Sequence, residues 1–289
     1  MFQEFHVSEP LIKRALRRIT VVGGPNDGKT GSIYTLPGRV FVLSYPLEKG
    51  YMSLPRKNFQ KIPIKAFVWP EIDVEKPVNW TQTWQQVETM TKEVLTGKYG
   101  EFDWFVGDGA HKLYDIALAT RCAGANMQGK DFMDGEGKDA MGRAYGQAHR
   151  VYQSYWSMVM NSPIHGVVMM LWDGLDRVDE LDTSKKAPKA QFADLPGQMA
   201  RRILGEATIT LHCVVDGVGA GRRFEWETQA TSQVKCAGVK LPRDLMAGLN
   251  FPPRIKQDFN GLVTLLDGKV EAWLKDDMDT RTAGPHTSQ

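Results

Sequence analysis

The sequence predicts an α/β fold: a central, mostly parallel sheet flanked by helices. Three observations carry that prediction. Strand-like and helix-like patterns alternate along the chain from about residue 18 onward. The stretch "IHGVVMMLW" (164–172) is apolar on both faces, as a strand is in the middle of a parallel sheet. The glycine-rich "GGPNDGKT" (23–30) follows an apolar strand-like run, at the kind of strand-to-helix turn where such folds meet their ligands.

Taken in order, "RITVVG" (18–23) reads as a buried strand, and "KTGSIYTL" (29–36) opens a helix that stops at Pro37-Gly38. "RVFVLSY" (39–45) is again strand. Residues 51–80, with scattered prolines, read as loop around a short strand at "IPIKAFVW". Residues 81–97 have helical spacing, with Trp84, Val87 and Val94 on one face. "FDWFVGD" (102–108) is a strand, and the "GAHKLYDIA" after it can begin a helix. A helix over 139–160 puts Ala144, Ala148, Val151, Tyr152, Tyr155 and Val159 on one stripe. "ATITLHCVVDG" (207–217) and "RRFEWETQAT" (222–231) alternate like later strands. The closing "DTRTAGPHTSQ" has no apolar face to bury, so the expectation is one domain over 1–275 and a disordered tail over 276–289.

Composition bounds the function. With 36 Lys and Arg against 34 Asp and Glu the net charge is +2, so any contact with nucleic acid must come from local patches rather than from a basic domain. No apolar run reaches membrane-spanning length, and charges interrupt every apolar stretch of the first 18 residues, unlike a secretory signal. The expectation is a cytoplasmic protein with no membrane partner. Cys122, Cys213 and Cys236 are widely spaced and odd in number, which suits reduced thiols and no zinc site. His111, His149, His165 and His212 show no ligand spacing and read as residues with local hydrogen bonds.

The chemistry lies in Gly23-Gly24-Pro25-Asn26-Asp27-Gly28-Lys29-Thr30, followed by Gly31. Every fixed position of GxxxxGK[ST] is met. Glycines let backbone N–H groups close around phosphates, and the helix that follows turns its positive end to the anion. Lys29 reaches the β- and γ-phosphates, and Thr30 offers a hydroxyl to Mg²⁺. Chance produces the pattern in about 1 % of chains of this length at ordinary glycine usage, and the flanking strand and helix lower that further, so nucleotide binding is expected here. Such a site wants a carboxylate at the end of a neighbouring strand to hold the metal's water shell. Asp108 closes "FDWFVGD"; its other reading is a cap on the next helix. Glu48, just past the second strand, is the candidate to activate water, or else a solvated loop residue. Asp173, after "MMLW", is the candidate γ-phosphate sensor, or else the first residue of an Asp-Gly turn.

Four segments together resemble a known group: "ITVVGGPNDGKTGSIYTLPGRVFVLSYPLEKG", "FDWFVGDGAHKL", "GRAYGQAHRVYQSYWSMVMNSPIHGVVMM" and "ADLPGQMARRILGEATITLHCVV". They are similar to the phage-encoded RecA-like nucleotide-binding proteins, the group that contains the Sak-type single-strand annealing ATPases, over most of residues 15–240. The resemblance implies a RecA-like P-loop NTPase core, ATP with Mg²⁺, and work on single-stranded DNA in phage recombination or replication inside a bacterial host. It implies a homo-oligomer, ring or filament, with ATP at the subunit interface, and a single-strand DNA-binding protein as a further partner. Lys29, Thr30 and Asp108 fall on matched positions. Glu48 lies near the family's acidic residue, although "SYP" departs from the usual acidic strand ending. The fourth strand ends "LWD" where the family often has a polar triplet with histidine. The family's Lys-x-Arg element, which reaches a neighbour's ATP, is matched only by Lys235 in "QVKCAGVKLP", with Lys240 beyond it and no arginine.

Proteins of this type meet DNA through loops that here fall at about 122–142 and 173–193. The first holds Lys130 and Lys138, the second Lys185, Lys186 and Lys189, each interspersed with acidic residues. The leading expectation is an ATPase that aids annealing or strand exchange. Alternatives are a helicase-like or loader motor on the same site, and an ATP-gated assembly module with negligible hydrolysis.

Overall fold

A computed structural model describes residues 9–45, 65–67, 77–124, 138–175, 191–231, 234, 236–240 and 252–282. The strands are β1 (Arg18–Gly23), β2 (Val40–Ser44), β3 (Lys65–Phe67), β4 (Trp104–Asp108), β5 (Gly166–Leu175), β6 (Gln191–Ala193), β7 (Ile209–Asp216), β8 (Arg223–Glu227), β9 (Gly238–Val239) and β10 (Arg254–Lys256). The helices are α1 (Glu9–Leu16), α2 (Lys29–Ser32, continued by a 3₁₀ turn, Ile33–Thr35), α3 (Pro77–Leu95), α4 (Ala110–Gly124), α5 (Lys138–Met160), α6 (Gly197–Glu206) and α7 (Phe259–Thr282).

The sheet runs β10-β8-β7-β1-β5-β4-β2-β3, with β6 added to β5 and β9 to β7. From β7 to β3 every neighbour along this path is parallel; β8 and β10 close one edge antiparallel. This is the expected α/β architecture, a mostly parallel sheet with helices on both faces. Side chains alternate by strand period between two apolar clusters. Phe41, Leu43, Phe105, Val167 and Met169 point to the face covered by α3, α4, α5 and α6. Val40, Val42, Val106, Val168 and Met170 point to the face covered by α1, the 3₁₀ turn and α7. β5 lies between β1 and β4 and is apolar on both sides because both sides are covered.

The stripe expected along α5 is buried at Ala144, Ala148, Tyr152, Tyr155 and Val159, together with Trp156. Arg18 ties that helix to the sheet. Its guanidinium donates to the carbonyls of Met160 (2.6 Å), the last residue of α5, and of Ser162 (2.7 Å), Ile164 (2.8 Å) and His165 (3.3 Å) in the turn that leads to β5. The basic segment "IKRALRR" is also used internally. Lys13 pairs with Glu271 at 2.7 Å and Arg17 with Asp267 at 2.7 Å, which fastens α1 to α7.

Two expectations change. The helix after the glycine-rich loop is only Lys29–Ser32 before it tightens to 3₁₀, because Leu36 turns extended ahead of Pro37. The chain is also still helical at Asp276, where the tail was expected to begin. α7 continues to Thr282, and no glycine or proline breaks the sequence between Lys269 and Ala283. Residues 283–289 lie outside the described residues.

Candidate nucleotide site

The glycine-rich loop joins β1 to α2 at the carboxyl ends of the parallel strands, where open α/β sheets hold their ligands. Its shape follows from its residues. Gly24 to Asp27 is a turn with Pro25 second and Asn26 third; Asn26 takes φ 67°, and the Asp27 N–H reaches the Gly24 carbonyl at 3.4 Å. Proline fixes the first central dihedral, and asparagine tolerates the left-handed second one. Gly28 follows at φ 82° and opens α2. A side chain there would strike the Gln257 Oε1 at 2.6 Å and the Phe224 ring at 2.7 Å. Gly23 is fixed by β7: a Cβ on it would lie 2.5 Å from that of Cys213. Burial pushes the Cys213 thiol up to about 12, so it is an inert packing group.

Lys29 is buried, and its Nζ donates to the carbonyls of Gly23 and Gly24, both at 2.6 Å. The ammonium is thus folded over the loop it serves. The Asp27 carboxylate accepts from the Gly24 N–H at 2.6 Å, so the loop also contains its own anion. Across the tip of β5, the Thr30 hydroxyl donates to Asp108 Oδ2 at 3.0 Å. Asp108 is buried at the end of β4. A hydroxyl and a carboxylate this close are hard oxygen donors suited to Mg²⁺, which keeps waters and phosphate oxygens as its other ligands.

Asp173 sits beside the same loop. Its Oδ1 lies 3.3 Å from where a Cβ of Gly24 would be, and its other oxygen is 3.5 Å from His212 Nε2. His212 is buried between Asp173 and Glu227, the latter at 3.6 Å, and Glu227 meets Arg254 at 3.1 Å. Each ring nitrogen of His212 thus has a carboxylate within 3.6 Å, with no hydrogen bond closed to either. His111, in the first turn of α4, accepts from the Trp172 N–H through Nδ1 at 3.3 Å and stacks on the indole at 4.6 Å. Burial, with the nearby charges of Lys112 and Lys29, holds its pKa down at about 3, so the ring is neutral and Nε2 carries the proton. Lys112 stands 5.0 Å over the other residue of this stack, Trp172.

The loop, Asp108 and Trp172 line a cleft of about 990 Å³, with Asp173, His212 and His111 behind its lining. Residues 25–32 and Asp108 form one wall, Met170 and Trp172 the floor, and Arg222, Phe224, Lys256 and Gln257 the far wall. The sequence pattern pointed to the first wall, Asp108 and Asp173. It did not point to the far wall, because strand pairing near residues 222 and 257 brings that wall to the loop. Lys240 is used in packing, where its ammonium donates to the carbonyls of Leu204, Gly205 and Ala207 at the end of α6. Glu48, Lys130, Lys185, Lys186, Lys189 and Lys235 lie outside the described residues, and Lys138 is the first residue of α5. No helix among the described residues is long and apolar enough to cross a membrane.

No model of a known protein family matches the chain, and no curated protein matches it. A solved structure described as a prototypical ATPase from the type III secretion system of pathogenic bacteria is similar at TM-score 0.39 and 11 % identity. The match covers 72 % of this chain and 56 % of that one, so the chain spans little more than half of that structure's length. A likeness this distant adds no residue to the site.

Proposed function

We propose that this P-loop protein is a Mg²⁺-dependent ATPase that works on single-stranded DNA as a homo-oligomer, in the annealing or strand-exchange steps of phage recombination or replication. The observation that carries the enzymatic part is the meeting of Thr30 with Asp108 at 3.0 Å beside a buried Lys29. Loop N–H groups and Lys29 would take the phosphate charge, and Lys29 would leave the Gly23 and Gly24 carbonyls to do so. Bound Mg²⁺, held through Thr30 and Asp108, would supply charge neutralisation between the phosphates. The DNA part rests on the family resemblance and on the lysines of the two loops.

A second reading, an ATP-gated assembly module with negligible hydrolysis, is favoured by one feature. At the cleft the carboxylates of Asp27 and Asp108 each already accept a hydrogen bond, from Gly24 and Thr30. Activation of water then falls to Glu48. Turnover of ATP with and without single-stranded DNA, in wild type and Glu48→Gln, separates the readings. In the ATPase, wild-type turnover rises with DNA, and Glu48→Gln stops turnover while still binding ATP. Absence of wild-type turnover with ATP still bound contradicts the ATPase and leaves the module.

A further inference from the structure

We infer that the far wall of the cleft is a nucleobase site, in which the base of the bound nucleotide stacks on Phe224. This rests on the reading of the loop as a nucleoside triphosphate site and says where the rest of the nucleotide goes. The phosphate end is set by Lys29, Thr30 and Asp108. The cleft's volume, about 990 Å³, lies at the upper end of the range for pockets that enclose an entire small ligand, so it extends well past a polyphosphate.

Phe224 is 37 % exposed, and of the exposed large apolar side chains among the described residues it alone lines the cleft. An aromatic face left open beside a phosphate loop gains by stacking a base. Its ring packs against Gly28, within reach of a nucleotide whose phosphates lie on the same loop. The wall is also packed in place. Two residues along β8, on the same side of the strand, Trp226 is fully buried with its ring 4.6 Å from Phe259. Gln257 is 7 % exposed, and its Nε2 donates to the Asp27 carbonyl at 2.9 Å and the Glu225 carbonyl at 3.1 Å. That amide pins the wall to the loop, so the two halves of the cleft keep their spacing. Arg222 and Lys256 line the same wall and add positive charge that suits a ligand carrying phosphates.

The test is calorimetric titration of Mg·ATP and of Mg·tripolyphosphate, which has no base, into wild type, Phe224→Ala, Phe224→Tyr and Lys29→Ala. The inference expects ATP to bind wild type at least tenfold tighter than tripolyphosphate. It expects Phe224→Ala to lose about tenfold for ATP and nothing for tripolyphosphate, and Phe224→Tyr to keep wild-type affinity. Equal affinities of wild type and Phe224→Ala for ATP overturn it, as does a parallel loss of both ligands. If neither ligand binds wild type, or Lys29→Ala binds both unchanged, the phosphate site itself is wrong and the inference falls with it.

Discussion

Asp27 is an acidic residue inside a loop that is built to receive anions. Its carboxylate accepts the Gly24 N–H, and its own carbonyl is held by Gln257. An asparagine there keeps an oxygen for Gly24 and removes a negative charge beside the incoming phosphates. A like charge some 4 Å away is worth ~1 kcal/mol even in a water-like dielectric, so Asp27→Asn should tighten Mg·ATP roughly fivefold. Weaker or unchanged binding in a calorimetric titration would show that the carboxylate is not felt by the ligand. At this scale the sequence was legible where chemistry follows from spacing, as at Lys29, Thr30 and Asp108. It gave His111 only a local hydrogen bond, where the bond in fact reaches Trp172, and it was silent on Arg222, Phe224 and Gln257. Each is an ordinary residue in its own segment and gains a role only from a partner tens or hundreds of positions away.

Arg18 shows what an element needs beyond its own pattern. The stripe of α5 predicts the helix, but the open carbonyls at its end and in the turn after it are met by an arginine from β1. Burial, with Arg14 nearby, lowers the Arg18 pKa to about 10, so it stays charged at neutral pH. Arg18→Met strands those carbonyls and should cost about 3 kcal/mol or more in urea unfolding, since charged hydrogen bonds contribute ~1.5–3 kcal/mol each. A loss under 1 kcal/mol would mean that water replaces the guanidinium.

His111 adds a pH dependence to the junction of α4 with β5. Its folded pKa of about 3 is below the ordinary 6.5, so the unfolded chain binds the proton more readily. The stability tied to its neutral form is present above about pH 6.5 and is lost as pH falls toward 3. His111→Asn keeps an acceptor for the Trp172 N–H and cannot charge. Its stability should therefore fall less steeply than the wild type's between pH 6.5 and 4. Parallel slopes would contradict the buried neutral ring.

α1 and α7 were not read from the sequence. α1 has only eight residues, too few for a period to declare itself. α7 carries a clear stripe at Leu262, Leu266 and Val270, but Gly261 and Gly268 dilute its helical signal. Both helices are held by packing against the sheet and by their two ion pairs rather than by propensity.

The sheet order gives the molecule its working end. β1 and β4 are separated by β5, yet they deliver Thr30 and Asp108 to within hydrogen-bond reach at the carboxyl edge. The parallel centre was legible because a strand covered on both faces is apolar throughout. β8 was legible as a strand within 222–231, but its antiparallel partner β10, which helps close the cleft, was not, because β10 is three residues long with little pattern of its own.

The central claim is that this edge binds and turns over a Mg²⁺-bound nucleoside triphosphate. The most direct measurement is phosphate release from ATP, with and without Mg²⁺, by wild type and Lys29→Ala. The account predicts turnover that requires Mg²⁺ and drops at least a hundredfold in Lys29→Ala, since Lys29 meets the charge that develops on the phosphates. Turnover of equal size in Lys29→Ala, or indifferent to Mg²⁺, would contradict it.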